Sequence, residues 1–463
     1  MKHVIKKLQS VLGKEKVSFS KELQILSSYD ATGLERLPCV VVRPHTTEDV
    51  CAVMRIASEN NIPVCPRGAA SGLSGGAIPV GFQEKEGDFG AIALEMSAMD
   101  RILEISRAHA RATAQPGILT GDFQKEVEKA CLFYPPDPSS AEFSTLGGNV
   151  AECAGGLRAL KYGVTRDYVL SLEVVLADGS VIRTGSKSHK SVAGYDLTRL
   201  FVGSEGTLGV FTEITVRLIP LPEEVCVVAA YFPDTLRAAQ AALTLLSGKI
   251  LPRSVELMDE TSIKCVREYS KLDLPSHARA SLLIELDGRK NCAVREGEEA
   301  AQILRQSGAL DVRLAVEREE REIIWDIRKQ ISPALYNVAK LKVSDDICVP
   351  RGSVPDLLKK VEEIGKKWGL EIASFGHAGD GNIHTNILSR EDSQEVRQRI
   401  EKASDEVIDA SLSLGGTITG EHGVGLTKKK YLPKEIGSHE LALMRSIKSL
   451  FDPKGILNPG KIF

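Results

Sequence analysis

Three histidines and a glutamate lie among glycines in two short segments near the end of the chain. His377 and His384 bracket the run Ala-Gly-Asp-Gly-Asn-Ile, and Glu421 and His422 lie between two glycines further on. Imidazole nitrogen and carboxylate oxygen suit a borderline divalent cation such as zinc, iron(II) or manganese. Because glycine lets a backbone turn sharply, His377 and His384 can converge. Three protein ligands leave one coordination position for a substrate, so the pattern predicts a catalytic metal site.

Each of the two segments, taken alone, also has a structural interpretation. The histidines of the first segment fit half-buried side chains at strand ends, and the Glu421-His422 pair fits an exposed surface. The occurrence of both segments in one chain favours the metal site, because together they supply a complete ligand set.

Length and charge limit the classes of partner. The chain has 463 residues, enough for two or three domains, and 43% of them are hydrophobic and 26% charged, as in a folded globular protein. The formal charge of -3 at pH 7 gives no bulk attraction to nucleic acid or to anionic lipid. We therefore expect no nucleic-acid partner.

The nine cysteines are scattered, and no two of them form a Cys-x-x-Cys pair. This distribution argues against a disulfide framework, a zinc ribbon or an iron–sulfur cluster carried by this chain, and it predicts a reducing, cytoplasmic environment. The N-terminus lacks the apolar run of a signal peptide, and no hydrophobic segment approaches bilayer-spanning length. We therefore expect no direct membrane insertion; any membrane association would be made through a partner.

The elements that must position these side chains alternate between strands and helices. A strand at 39–42, a helix that begins with the capping signature Thr-Thr-Glu-Asp at 46–49, and a strand at 62–65 form a β-α-β unit. Asp178-Gly179 joins two further strands into a hairpin. From Val225 onward strand-like runs alternate with helical ones, which is typical of an α+β domain with helices on one face of a sheet.

Three glycine-rich loops lie in the first half of the chain, at residues 66–76, 144–156 and 203–209. Successive glycines and small residues can form a concave nest of backbone N–H donors, which binds a pyrophosphate without a Walker lysine. The first loop comes after the β-α-β unit rather than in its first turn, so it is not a Rossmann fingerprint. Each loop alone also fits an ordinary turn, whereas three in one domain favour a nucleotide cofactor.

Six segments spread over nearly the whole chain carry a resemblance to a known family. They are PRGAASGLSGG (66–76), STLGGNVAECAGG (144–156), LFVGSEGTLGV (200–210), GHAGDGNIH (376–384), GEHGVG (420–425) and LNPGK (457–461). In these segments the chain resembles the FAD-dependent D-2-hydroxy acid dehydrogenases. That family includes D-lactate dehydrogenase, D-2-hydroxyglutarate dehydrogenase and the D subunit of glycolate oxidase, and it is similar to flavoproteins of the vanillyl-alcohol oxidase type.

The resemblance implies an α+β protein. Residues 1–220 would form an FAD-binding domain of the PCMH type, the vanillyl-alcohol-oxidase-type fold of two subdomains. Residues 221–414 would form a cap domain with an antiparallel sheet, which carries the substrate and metal residues. Residues 415–463 would form a C-terminal segment that returns to the flavin domain.

The resemblance also implies the residues that contact FAD. They would be Arg67, Gly68, Ala69, Ala70, Ser71, Gly72, Leu73, Ser74, Gly75, Gly76, Pro136, Asp137, Thr145, Gly148, Asn149, Gly155, Glu205, Gly206 and Asn458. Relatives with a covalent flavin carry a histidine in the first glycine-rich loop. Ser71 and Gly72 occupy that region here, which implies that FAD is bound non-covalently.

By the same resemblance, His377, His384 and Glu421 would bind one divalent metal, zinc, iron or manganese, and His422 would act as the general base. Arg328, Lys342 and Asn386 would bind the substrate. Two alternatives stay open from the sequence: Arg328 also fits a solvated charge on a helix face, and Lys340 is a rival to Lys342.

The activity implied is oxidation of a small D-2-hydroxy acid, D-lactate or glycolate, to the 2-oxo acid, with hydride transfer to flavin N5. Because the chain has no iron–sulfur or haem motif, electrons would pass to an external acceptor such as an electron-transfer flavoprotein, an iron–sulfur partner subunit, a quinone or a cytochrome. The alternatives are a non-redox flavoenzyme similar to alkylglycerone-phosphate synthase, and a non-catalytic FAD-binding subunit of a glycolate oxidase-like complex. The metal and base residues favour the dehydrogenase.

Overall fold

The chain folds into two compact units. The computed structural model describes residues 1–82, 90–270 and 274–463. The first unit consists of Met1–Gly155, Val164–Leu221 and Glu421–Phe463. The second unit consists of Gly156–Gly163 and Pro222–Gly420. Among the described residues, no helix combines the length and the apolar composition that crossing a membrane requires.

Helices and strands alternate along the described residues. The α-helices are α1 (Lys2–Leu12), α2 (Lys21–Leu26), α3 (Thr47–Asn60), α4 (Thr120–Lys129), α5 (Leu146–Glu152), α6 (Ala159–Tyr162), α7 (Leu197–Phe201), α8 (Thr235–Leu246), α9 (Glu260–Tyr269), α10 (Cys292–Gln306), α11 (Arg318–Lys329), α12 (Ile331–Val338), α13 (Val354–Trp368), α14 (Gln394–Ser413), α15 (Leu432–Glu435) and α16 (Ser438–Phe451). The strands are β1 (Val17–Ser18), β2 (Val40–Val42), β3 (Val64–Arg67), β4 (Ile92–Glu95), β5 (Ile102–Ser106), β6 (Arg111–Ala114), β7 (Leu132–Phe133), β8 (Val169–Val175), β9 (Val181–Gly185), β10 (Val210–Arg217), β11 (Ile219–Pro220), β12 (Glu224–Phe232), β13 (Ser254–Met258), β14 (Ala280–Gly288), β15 (Asp311–Ala315), β16 (Leu341–Cys348), β17 (Glu371–His377) and β18 (Asn382–Ser389).

The first unit is built on two larger sheets, and β7 and β11 form a third sheet of two strands. A four-stranded sheet has the order β1-β2-β4-β3, in which β2, β4 and β3 are parallel. A five-stranded antiparallel sheet has the order β5-β6-β10-β8-β9. The predicted hairpin is confirmed, since Asp178-Gly179 joins β8 to β9. The four-stranded and the five-stranded sheet correspond to the two subdomains that the resemblance implies.

Helix α3 begins where the sequence predicts. The Thr46 hydroxyl accepts the N–H of Asp49, and the Asp49 carboxylate accepts the N–H of Thr46, so two N–H groups that the first helical turn leaves without partners are satisfied. The helix then buries Val50, Val53 and Met54 in the core over the four-stranded sheet. This packing fixes strand β3 and therefore the start of the first glycine-rich loop.

The C-terminal segment extends the four-stranded sheet of the first unit, beside β3. Val64 in β3 donates its N–H to Ile456 O at 2.8 Å, and Asn458 donates its N–H to Val64 O at 2.8 Å. Leu457 therefore pairs with Val64 in a parallel bridge, and Ile456 and Leu457 are fully buried. This pairing places Asn458 directly beside the strand that leads into the first glycine-rich loop.

The second unit contains a seven-stranded antiparallel sheet with the order β15-β12-β14-β13-β17-β18-β16. Helices α9, α11 and α12 share a core with Val227, Ala229 and Tyr231 of β12. On the opposite face, the Cys226 thiol donates to Ala293 O of α10 at 3.1 Å. The expectation of helices on one face is therefore wrong. Strand β12 is buried at successive positions, and a strand buried on both sides needs cover on both faces.

Gly381→Ala should lower the melting temperature. Gly381 lies in the turn between β17 and β18 with a φ of +93°, and an added Cβ would lie 1.9 Å from the carbonyl oxygen of Val349. A backbone atom cannot move aside as the tip of a side chain can. We expect the free energy of unfolding to fall by roughly 2 kcal/mol or more, which scanning calorimetry detects as a lower melting temperature.

Gly352→Ala is the matched control, because an added Cβ there meets nothing within 4 Å and the residue is not in the left-handed region. It should keep the wild-type melting temperature. Equal melting temperatures for the two variants would contradict the packing of the turn.

Candidate functional site

The strand register of the second unit gathers polar side chains on one face of its sheet. Glu256 in β13 pairs with His377 in β17, Phe375 pairs with His384 in β18, and His384 pairs with Asp346 in β16. Residues directly opposite each other in antiparallel strands point to the same face. Two histidines and two carboxylates from four adjacent strands therefore share one surface of the sheet.

The two predicted histidine ligands lie together. The His377 and His384 rings have centroids 5.3 Å apart and are nearly perpendicular, at 85°. Their ligand nitrogens lie within 4.8 Å of each other. Each imidazole binds a divalent cation at about 2.1 Å, so small side-chain rotations suffice to bring both nitrogens onto one ion.

Glu256 supports both His377 and Arg328. Its Oε1 is 2.5 Å from His377 Nδ1, and its Oε2 accepts a hydrogen bond from Arg328 Nε at 2.8 Å. Burial raises the pKa of Glu256, but the charges of His377 and Arg328 outweigh burial and bring the pKa down to about 2. Because Nδ1 of His377 faces this carboxylate, Nε2 is the nitrogen that the ring can offer to a cation.

Asp346 organises the surroundings of His384. One carboxylate oxygen accepts Asn382 Nδ2 at 2.6 Å and lies 3.5 Å from His384 Nδ1. The other oxygen accepts the Thr419 hydroxyl and the Gly420 N–H, each at 3.0 Å. The fully buried Asp346 therefore fixes both the hairpin that carries His384 and the backbone that leads into Glu421-His422.

Arg328 is largely buried rather than solvated. Its side chain is 12% exposed, and its guanidinium carbon lies 4.7 Å from the Phe375 ring centroid. The alternative of a solvated charge on a helix face is therefore wrong. With Nε on Glu256, the guanidinium can present its remaining N–H groups to an anion.

Lys342 and Asn386 lie on neighbouring strands. Lys342 is partly buried with Nζ 4.1 Å from the Tyr336 ring centroid, and burial lowers the pKa of its ammonium group. Lys340, the alternative, is exposed. Asn386 shares the face of His384, two residues away on β18, and accepts the Ser344 hydroxyl at 2.5 Å.

Asn458 joins two glycine-rich loops of the first unit. Its Nδ2 donates to Gly76 O at 2.9 Å and to Glu205 O at 2.8 Å. The Glu205 carboxylate in turn accepts the N–H groups of Val424 at 2.8 Å and Gly425 at 2.7 Å. The first and third glycine-rich loops and the C-terminal segment therefore converge on these two side chains.

The second glycine-rich loop lies against the first at Gly68. A Cβ at Gly68 would be 2.2 Å from Thr145 Oγ1, so no larger residue fits there. Thr145 caps α5 by accepting the Gly148 N–H at 3.2 Å, and Asn149 Nδ2 donates to Thr120 Oγ1 at 2.6 Å. The structure thus brings Gly68 and Thr145, both predicted cofactor contacts, directly together, with Gly148 and Asn149 on the helix that Thr145 caps.

The first loop has donors to offer to a cofactor. Within the part of the chain that the structure describes, the backbone N–H groups of residues 69–73 make no hydrogen bond. Five successive N–H groups of this kind suit a pyrophosphate. The Arg67 guanidinium instead supports the loop: it donates to Glu95 at 2.8 Å, to Tyr29 O at 3.0 Å and to Ala77 O.

The remaining predicted cofactor residues lie in the same unit. Pro136 accepts Gln124 Nε2 on its carbonyl at 2.8 Å, and the partly buried Asp137 follows it. A Cβ at Gly206 would be 3.6 Å from Asn458 Nδ2, so Gly206 lies at the junction of the loops.

Glu421 and His422 begin the C-terminal segment of the first unit and are partly buried. Within that unit, a Cβ at Gly155 would lie 2.9 Å from Glu421 Oε2. The structure therefore places Gly155, a predicted cofactor residue, beside Glu421, a predicted metal ligand.

The sequence reasoning missed Glu256 and Asp346. Glu256 is a charged residue in the buried strand Ser-Val-Glu-Leu-Met, and Asp346 is the second of two adjacent carboxylates in Val-Ser-Asp-Asp-Ile-Cys. A carboxylate that a buried strand carries must be paired or bound to a cation, and that signal could have found both residues.

Comparisons with known proteins cover the whole chain. Residues 38–185 match the family described as "FAD binding domain", and residues 221–462 match "FAD linked oxidases, C-terminal domain". The chain is 41% identical over 463 residues to glycolate oxidase subunit GlcD of Bacillus subtilis (strain 168), covering 100% of this chain and 97% of that protein. It is 37% identical over 426 residues to D-lactate dehydrogenase of Archaeoglobus fulgidus, covering 91% of each.

Solved structures show the same fold at low sequence identity. An alkyldihydroxyacetonephosphate synthase aligns with a TM-score of 0.79 at 18% identity, covering 99% of this chain and 84% of that one. A p-cresol methylhydroxylase with substrate bound also aligns with a TM-score of 0.79 at 18% identity, covering 100% and 96%. The two-subdomain FAD-binding domain and the antiparallel sheet of the second unit are therefore those of the vanillyl-alcohol oxidase type, and the chain belongs to the FAD-linked oxidoreductases of the D-2-hydroxy acid dehydrogenase family.

Proposed function

We propose that this protein oxidises a small D-2-hydroxy acid, D-lactate or glycolate, to the 2-oxo acid, using non-covalent FAD and one divalent metal. The observation that carries the proposal is the arrangement on Glu256, where one buried carboxylate holds an imidazole and a guanidinium. The His377 imidazole could bind a cation and the Arg328 guanidinium could bind a carboxylate. Two such groups held by the same residue suit a substrate that has a hydroxyl group beside a carboxylate. The names of the curated relatives support this choice of substrate class.

FAD would be held by the glycine-rich loops of the first unit and would supply the acceptor for the substrate hydride. The five N–H groups of residues 69–73 would bind its pyrophosphate. The remaining contacts would come from Arg67, Gly68, Ser74, Gly75, Gly76, Pro136, Asp137, Thr145, Gly148, Asn149, Gly155, Glu205, Gly206 and Asn458. Ser71 and Gly72 leave no histidine for a covalent bond to the flavin.

His377, His384 and Glu421 would hold the divalent metal, zinc, iron or manganese, which supplies a Lewis acid that lowers the pKa of the substrate hydroxyl. The donor set fits, since two imidazoles and a carboxylate are the ligands of many catalytic sites with an open position. Glu256 fixes the ring orientation of His377, and Asp346 fixes the strand and loop around His384.

Arg328, Lys342 and Asn386 would orient the substrate. The Arg328 guanidinium can bind a carboxylate through two parallel N–H groups. Such a contact would determine which face of the reacting carbon is presented to the flavin. His422 would take the hydroxyl proton, because imidazole exchanges protons near neutral pH. Removal of that proton leaves the hydride as the second hydrogen to be transferred.

The electrons would leave through an external acceptor: an electron-transfer flavoprotein, an iron–sulfur subunit, a quinone or a cytochrome. Relatives that are named as a subunit of glycolate oxidase support a place in a complex with other subunits.

D-Lactate or glycolate should bleach the flavin absorbance under anaerobic conditions, and L-lactate should not. Treatment with a chelator followed by gel filtration should remove the metal and abolish bleaching, and added zinc or manganese should restore it. Bleaching that survives complete metal removal, as checked by elemental analysis, would refute metal dependence. A protein whose flavin no 2-hydroxy acid reduces would instead fit the non-redox or non-catalytic alternative.

His422→Ala should retain FAD but slow flavin reduction by roughly 10²–10⁴-fold, since the variant lacks a positioned base. Stopped-flow absorbance with D-lactate or glycolate measures the rate. His439→Ala, on the exposed first turn of α16, is the control and should reduce at the wild-type rate. A His422→Ala rate within threefold of wild type would exclude this residue as the base.

Glu256→Gln should weaken metal binding by about 10–100-fold, because the amide supports the imidazole less strongly than a carboxylate does. Isothermal calorimetry on metal-depleted protein measures the affinity without any need for turnover. Glu371→Gln is the matched control, because Glu371 lies on β17, the strand that carries His377, and is 49% exposed. Equal metal affinity in both variants would show that Glu256 does not support a metal ligand.

A further inference from the structure

Glu152 places a carboxyl group among glycines of the first unit. A Cβ added at Gly76 would lie 2.6 Å from its Oε1, and one added at Gly72 would lie 3.9 Å from it. A Cβ added at Gly423 would lie 2.3 Å from its Oε2. The carboxyl group therefore occupies space that exists because Gly76 and Gly423 have no side chain, and it lies in ordinary contact distance of Gly72.

The hydrogen-bonding capacity of Glu152 is only partly used. Oε1 accepts the Ser74 hydroxyl at a long 3.3 Å. Oε2 is buried and has no hydrogen-bond partner among the residues that the structure describes. Leaving a buried carboxyl oxygen without a partner is unfavourable, so a bound molecule is expected to supply one.

A second carboxyl group lies next to Glu152. Glu205 is held by the N–H groups of Val424 and Gly425, which stabilise it as a carboxylate. Glu152 has no such donors from the backbone. Burial and then the Glu205 charge raise the pKa of Glu152 well above its ordinary value, and Asp30 acts in the same direction. Of the pair, Glu152 is therefore the one that holds a proton more readily.

Other charged groups nearby do not change this ordering. Burial raises the pKa of Glu205 as well, but the N–H groups of Val424 and Gly425 and then the buried Lys461 act against it, and the Lys461 ammonium group donates to Ile78 O. Arg67 is committed to Glu95 and to backbone carbonyls. Neither cation supplies a hydrogen bond to Glu152.

We propose that Glu152 is a neutral carboxylic acid that donates a hydrogen bond to the flavin ring and thereby favours the reduced flavin. Ser74 and Gly76, which contact Glu152, belong to the loop assigned to FAD, and the inference rests on that assignment. A donor stabilises negative charge that reduction places on the ring, whereas an ionised carboxylate in the same place would oppose it. Glu152 is thus a positioning and tuning residue for the flavin.

Glu152→Met and Glu152→Gln test the proposal. Methionine keeps the volume without a donor, and glutamine keeps a donor without a charge. With FAD bound, Glu152→Met should shift the equilibrium between oxidised and reduced flavin toward the oxidised form by roughly tenfold, which is about 30 mV in midpoint potential for a two-electron couple. Glu152→Gln should stay within threefold of wild type. Glu128→Ala, exposed on α4, is the control.

The potential is measured against a reference dye with dithionite as reductant, so the result depends on neither the substrate nor the metal. A Glu152→Met potential equal to wild type would assign the residue a merely structural role, and a raised potential would show that it is ionised. Either outcome overturns the proposal.

A second measurement covers a Glu152→Met variant that does not fold or bind FAD. Infrared difference spectra of the wild-type protein on flavin reduction should show a shifted band of a protonated carboxyl group, which Glu152→Gln lacks. Absence of that band in the wild-type protein would also overturn the proposal.

Discussion

The cost of burying a charge governs the polar face of the second unit. The Glu256 side chain has no exposed surface, and an unpaired carboxylate in such a place costs several kcal/mol. Its two oxygens therefore require His377 and Arg328, one on each side. This pairing fixes the direction of the imidazole and of the guanidinium with a single group. The proposed metal ligand His377 and the proposed substrate anchor Arg328 thus depend on one carboxylate.

The strands hold this arrangement more rigidly than loops would. Glu256, His377 and His384 all project from paired strands, and the tight turn at Gly381 keeps the last two strands in register. Asp346, on β16, holds a segment of irregular backbone in place, since its carboxylate accepts the Gly420 N–H and the Thr419 hydroxyl. A site built on regular elements keeps its geometry within the narrow limits that ligand binding needs.

Local signals in the sequence were sufficient for local structure. The capping box at Thr46 and the Asp178-Gly179 hairpin depend on residues within a few positions of one another, and both predictions are confirmed. Glu256 lies 121 positions from His377, and no periodicity reports which strands will pair across such a distance. The helices on the second face of the sheet have a different physical origin: the continuous apolar run of β12 places hydrophobic side chains on both faces, so both faces need cover.

Two buried glutamates show why residue type alone does not determine chemistry. Glu256 lies between the His377 ring and the Arg328 guanidinium, and their attraction outweighs the cost of burial, so its pKa falls to about 2 and it is ionised. Glu152 has a carboxylate as its neighbour and a single weak hydroxyl donor, so burial and repulsion act together and keep its proton in place. Glu205 differs from Glu152 through two backbone N–H groups. The number of donors that the fold directs at each carboxyl group therefore decides whether it accepts or donates a hydrogen bond.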